Sequence, residues 1–325
     1  MNQTRKIRWL IAHEPVELFL RTAEAFKEKI AELTDGKFEI EIYTAGEYKA
    51  KFHHKVVDGV WRLDPMDFLD SGDIEMSQLH ITELAKWHST DFYALEMPFL
   101  FRDHDHAARV LEGPIGSKLL NKLTEVSPAT GLAFTYSGGY RIVASDTPVI
   151  SLEDLKGCTF ATGHNPVTVD TVEAIGAVPK SFHIKDFLEK INSEGLDSDA
   201  YETTIPRYLA RLRAQKQSMQ TYLVNTKHSL FLTSIIASNK FLASLDEETL
   251  AKFKEASVYA SKLEREWSVE EAEQFANKQD HSDIGLTYRE LSAEETAKFK
   301  ELVQPLYDKY TDFFEAGLVD GIIKS

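Results

Sequence analysis

At 325 residues the chain is longer than one hydrophobic core comfortably serves, so two lobes are expected. Its 43% hydrophobic and 27% charged residues supply an ordinary core, and a net charge of −15 argues against nucleic acid or an anionic membrane surface as partner. Cys158 is the only cysteine, which rules out an internal disulfide and a cysteine-built zinc cage.

The charged start, Met1 to Trp9, lacks the apolar centre of a signal peptide, so export would mean that a signal has been removed. Ile7 to Ala12 reads as a strand. Val16, Phe19, Ala23, Phe26, Ile30 and Leu33 recur at helical spacing. After the Asp35-Gly36 turn, Phe38, Ile40 and Ile42 alternate with charged residues as a half-buried strand. Strand, helix and strand in this order form the unit of a parallel α/β sheet. A helical stretch from His106 to Val126, broken at Gly113-Pro114, precedes two strands, Gly131 to Ser137 and Arg141 to Ser145. Ser151 and Asp154 pair as a helix cap, Cys158 to Ala161 forms a short buried strand, and Thr168 to Ile175 is a helix closed by Gly176. Phe182 to Ile191 reads as a further helix. Leu245 to Lys278 is one long amphipathic helix, and Ser292 with Glu295 caps another that runs to Tyr310. No flexible linker interrupts the chain, so it is expected to cross between its lobes several times.

Signatures of catalysis are missing: there is no phosphate-binding glycine loop, no dinucleotide turn, no nucleophile elbow and no HExxH. Cys158 reads as a packing residue. His104 and His106, two apart beside aspartates, read as a solvated loop and helix start, and His53-His54 is equally bland.

A series of short motifs points elsewhere. Leu95 to Leu100 reads Leu-Glu-Met-Pro-Phe-Leu, followed by Phe101-Arg-Asp, His106-Ala107 and Gly113-Pro-Ile-Gly116. Gly72-Asp-Ile-Glu-Met76 lies upstream; Gly139-Tyr-Arg141, Leu152-Glu-Asp-Leu-Lys-Gly157, Gly176-Ala177, Gly195-Leu-Asp197 and the segment Asn239 to Ala256 follow. In this order, over nearly the whole chain, they resemble the DctP-type solute-binding subunits of tripartite ATP-independent periplasmic (TRAP) transporters. The resemblance implies a two-lobed α/β periplasmic-binding fold with a cleft between the lobes and a long lobe-spanning helix near the C-terminus. It implies capture of one small solute by hinge closure and its delivery to a membrane permease. Lobe I is expected at 1–136 plus 229–266, and lobe II at 137–228 plus 267–325. A periplasmic monomer with no cofactor, no enzymatic activity and no membrane insertion of its own is the expectation.

Departures from the family pattern bear on the solute. The strand arginine that clamps a carboxylate in relatives falls on Ala161, and the asparagine after Val-Asp-Gly falls on Tyr201. A segment near Val57 to Met66 is longer than usual. Arg141 matches a second family arginine and either binds an anion alone or pairs with an acid as a structural group. By the same register Gln78, His80, Glu83, His164, Asn165 and His13 fall at the cleft. The three histidines hold an organic solute or, less simply, a metal or metal chelate. An organic acid is the leading solute, and a neutral, aromatic or metal-associated ligand is the alternative that Ala161 and Tyr201 motivate, with Tyr136 as a further ring. A relative acting as a sensory receptor is a second alternative. A hydrolase or lyase on the same scaffold, using His80 with Glu83 or His13 with Glu14, is the remote one.

Overall fold

A computed structural model describes residues 4–13, 16–52, 56–57, 60–61, 64–182, 197–214, 220–278 and 280–325. Among the described residues a short antiparallel pair, Val56–Val57 with Val60–Trp61, stands apart from ten strands that pair with one another: β1 (Arg5–Ile11), β2 (Phe38–Thr44), β3 (Met76–His80), β4 (Ala129–Ser145), β5 (Thr159–Gly163), β6 (Val178–Phe182), β7 (Ala200–Thr204), β8 (Tyr222–Asn225), β9 (Leu230–Ser238) and β10 (Thr287–Glu290). The chain divides into two compact units, the first of residues 1–89, 108–137 and 232–267, the second of 90–107, 138–231 and 268–325. Both belong to the two-lobed α/β class expected from the sequence.

In the first unit the sheet order is β2-β1-β3-β9-β4, with β1 parallel to β2 and β3, and β9 antiparallel to β3. The expected helix spans Val16–Leu33 and lays Phe19, Ala23, Phe26 and Ile30 on β1. Alternation in β2 turns Ile40 inward between charged neighbours. Trp9, Phe26 and Phe253 then interlock, with ring centroids 5.2 Å and 5.7 Å apart in sequence of contact. Such tilted pairs add roughly 0.5–1.5 kcal/mol each beyond their buried area.

In the second unit the order is β10-β8-β4-β7-β5-β6, where β4 runs antiparallel to both β7 and β8. The chain passes between units along β4, along β9 and along the helix Glu247–Asn277, the long helix foreseen at Leu245 to Lys278. The capping box at Ser292 and Glu295 opens the helix Ala293–Lys309.

Several expectations are corrected. Residues 90–107, placed in lobe I from the sequence, pack with the second unit. Asp91 accepts from the Glu315 amide at 2.7 Å, and the Phe99 amide donates to the His228 carbonyl. The two strands read at 131–137 and 141–145 are one strand, because Gly138 and Gly139 carry the chain through with φ of 98° and 84° instead of ending it. His106 is not solvated. It is fully buried, its Nδ1 accepts from the Arg102 amide at 3.1 Å, and its Nε2 donates to the Ile322 carbonyl at 2.8 Å. Cys158 is half-buried just before β5 rather than inside a strand. Phe182 ends β6, and the rest of the helix read to Ile191 lies outside the described residues, as do Glu14 and His53-His54.

Candidate functional site

Each unit holds a buried polar group on its sheet that was expected at the site. In the first, Gln78 on β3 is 1% exposed, and its Nε2 donates to the Thr135 and Thr233 hydroxyls at 2.7 Å and 3.0 Å. Its Oε1 has no partner among the described residues. His80, two residues on and on the same face, is half-buried opposite Thr233 and opens the helix Ile81–Trp87, whose first turn carries Glu83. His13, half-buried, follows β1. The first unit therefore gathers His80 with Gln78 on one strand.

In the second unit the centre is Arg141, 4% exposed on β4. One terminal nitrogen donates to Glu96 Oε1 and the other to Glu202 Oε1, each at 2.8 Å. The guanidinium lies 4.2 Å from the Phe231 ring centre. Its Nε is buried without an acceptor among the described residues. Asn165 caps the helix Pro166–Ala174 by accepting from the Val167 amide at 2.9 Å, and its Nδ2 donates to Glu96. His228 Nε2 sits 3.4 Å from Glu202 Oε2, and its Nδ1 is hydrogen-bonded to the Thr226 hydroxyl at 2.7 Å. Burial pushes the Glu202 carboxyl up, but Arg141 and the bond to His228 outweigh it and hold it below the usual carboxylate range.

Local sequence explains this assembly. Glu96 ends the 3-10 turn Thr90–Glu96 shortly before Pro98, which places it inside the unit. Glu202 is carried by alternation: Arg141 is in register with Thr204 and Val143 with Glu202, so Arg141, Glu202 and Thr204 share one face of the sheet. Two carboxylates surround one guanidinium, a balance that costs desolvation energy unless every polar atom is met.

The same register corrects the reading of Ala161 and Tyr201. Both align with Ala144 and lie on the face opposite Arg141. Ala161 is 0% exposed within an apolar cluster that includes Ile142, Ile205 and Tyr208. Tyr201 is buried beside it, its hydroxyl accepting from Arg211 at 3.0 Å. Ala161 therefore packs on that face, and the neutral or aromatic ligand it motivated loses its ground. His164 is exposed after β5, and among the described residues no three histidine, cysteine or acidic side chains gather as a metal site. Arg141 and Asn165 are brought together through Glu96. Glu96, Glu202 and His228 were missed by sequence reasoning, although Glu96 sits inside the Leu-Glu-Met-Pro motif.

The profile of the bacterial extracellular solute-binding protein, family 7 (DctP), matches residues 12–312. The chain belongs to this family. It is a TRAP-type solute-binding receptor, a binding protein and not an enzyme. The C4-dicarboxylate-binding periplasmic protein DctP of Rhodobacter capsulatus is 24% identical over 303 residues, covering 92% of this chain and 84% of that one. A TRAP periplasmic solute-binding protein of Sulfitobacter sp., solved with bound α-D-taluronate, superimposes with a TM-score of 0.79 at 25% identity, covering 98% of this chain and 97% of the other. The sugar acid binding protein DctPAm of Advenella mimigardefordensis, in complex with galactonate, gives a TM-score of 0.82 at 21% identity over 99% and 97% of the two chains. Among the described residues no helix is long and apolar enough to cross a membrane.

Proposed function

We propose that this DctP-family receptor captures a small hydroxylated monocarboxylic acid in the periplasm and delivers it to TRAP permease subunits. The family sets the class of protein. Relatives that hold a sugar acid on one hand and are named for C4-dicarboxylates on the other frame the choice of solute. What supports the monoacid is the charge balance at Arg141. Glu96 and Glu202 each accept one N–H from a terminal nitrogen of the guanidinium, and Nε–H has no acceptor among the described residues, so the remaining N–H groups are donors for one carboxylate. The carboxylates accept hydrogen bonds, so hydroxyls on the solute satisfy them, whereas a second anionic group on the solute meets like charge.

Isothermal titration of the purified protein with galactonate and with succinate tests this reading. Galactonate is expected to bind with one-to-one stoichiometry and about tenfold or more tighter than succinate, a difference of at least ~1.4 kcal/mol. Equal or tighter binding of succinate would refute the monoacid, and no binding of any carboxylate would refute the acid reading altogether.

A further inference from the structure

On the face of β4 opposite Arg141, the second unit encloses a separate pocket of about 290 Å³, walled by Tyr140 and Ile142 of β4, by Asn225, and by Ala272 and Glu273 of the long helix. Its size is at the lower end of small-molecule sites, and its floor is apolar. Asn225 is 8% exposed, and its Nδ2 donates to the Tyr288 hydroxyl at 2.9 Å and to Glu290 Oε1 at 3.0 Å. The carboxylate fixes the amide orientation, since the reverse would set Oδ1 against Glu290. Oδ1 is left buried with no partner among the described residues, an omission that costs about 1–3 kcal/mol unless a donor meets it. Of the cations at the rim, Lys227 pairs with Glu290 at 3.2 Å, and Arg102 donates to the Ile323 carbonyl at 2.7 Å. Glu273, exposed on the helix, makes no ion pair with lysine or arginine among the described residues and interacts electrostatically with His104. The pocket therefore combines the Asn225 amide and the Glu273 carboxylate with an apolar floor beside Tyr140.

We propose that this pocket is a second binding site, which takes a small primary ammonium compound with a short apolar body. The N–H groups donate to Asn225 Oδ1 and Glu273, and the alkyl chain covers Ile142 and Ala272 beside the tyrosine ring. The site is independent of the acid reading, because the sheet separates it from Arg141. The test is an amide-resolved NMR titration of the whole chain with butylammonium chloride at neutral pH, with 1-butanol as the neutral isostere. Saturable shifts at Tyr140, Asn225 and the helix around Ala272 are expected with butylammonium and not with butanol. Glu273→Gln, a surface change that leaves the core intact, should weaken binding at least fivefold, and Asn225→Leu should weaken it further. Absence of saturable shifts, equal binding of butanol, or unchanged affinity in Glu273→Gln would overturn the site and leave Oδ1 to an ordered water.

Discussion

Arg141 shows how much a single side chain depends on partners that are remote in sequence. Glu96 is 45 residues away and Glu202 is 61, so no local pattern announces either. The sequence leaves open whether Arg141 binds an anion or pairs with an acid; the structure shows the pair, with Nε still available. Removing the guanidinium strands two buried carboxylates. Arg141→Gln is therefore expected to destabilise the protein by about 3–5 kcal/mol in urea unfolding, independently of any ligand. A loss below about 1 kcal/mol would mean that the pair is open to water.

At the scale of elements, periodicity carried far and glycine misled. The helices Val16–Leu33 and Glu247–Asn277 were readable because apolar residues recur on one face, and the capping boxes at Ser151 and Ser292 because their spacing is local. The Gly138-Gly139 pair looked like a break, but it is the point at which β4 leaves one unit for the other. A Cβ on Gly138 would stand 2.2 Å from the Thr204 hydroxyl at φ +98°. Gly138→Ala should cost about 2–3 kcal/mol of stability by thermal unfolding, and a neutral result would show that the strand can re-route there. The capping box makes a pH-dependent contribution. Hydrogen bonds from Arg289 and Ser292 hold the Glu295 carboxyl at about 2, against an ordinary 4.5. A carboxyl depressed on folding stabilises above its unfolded value and loses that contribution as pH falls through the folded one. Glu295→Gln should lower stability by about 1 kcal/mol at neutral pH, a modest figure because the group is partly solvated. The gap to the parent should close between pH 4.5 and about 2; a gap constant with pH would assign the effect to the hydrogen-bond geometry alone.

For the molecule as a whole, the series of short motifs named the right family and the two-lobed α/β class, because those motifs mark turns and caps that the fold requires. Much less of the solute site was readable. Register across β4, β7 and β5 decides which side chains share a face, and a sequence comparison places Ala161 without showing that it faces the apolar cluster. The charge of −15 describes the surface, whereas the proposed choice of solute rests on the local balance of two carboxylates and one guanidinium. The most direct test of that balance is the ratio of galactonate to succinate affinity in the parent and in Glu202→Gln, measured by isothermal titration. Removing one carboxylate should shift the ratio toward succinate by about tenfold, ~1.4 kcal/mol. An unchanged ratio would contradict the account and leave the group around Arg141 as a buried structural clasp.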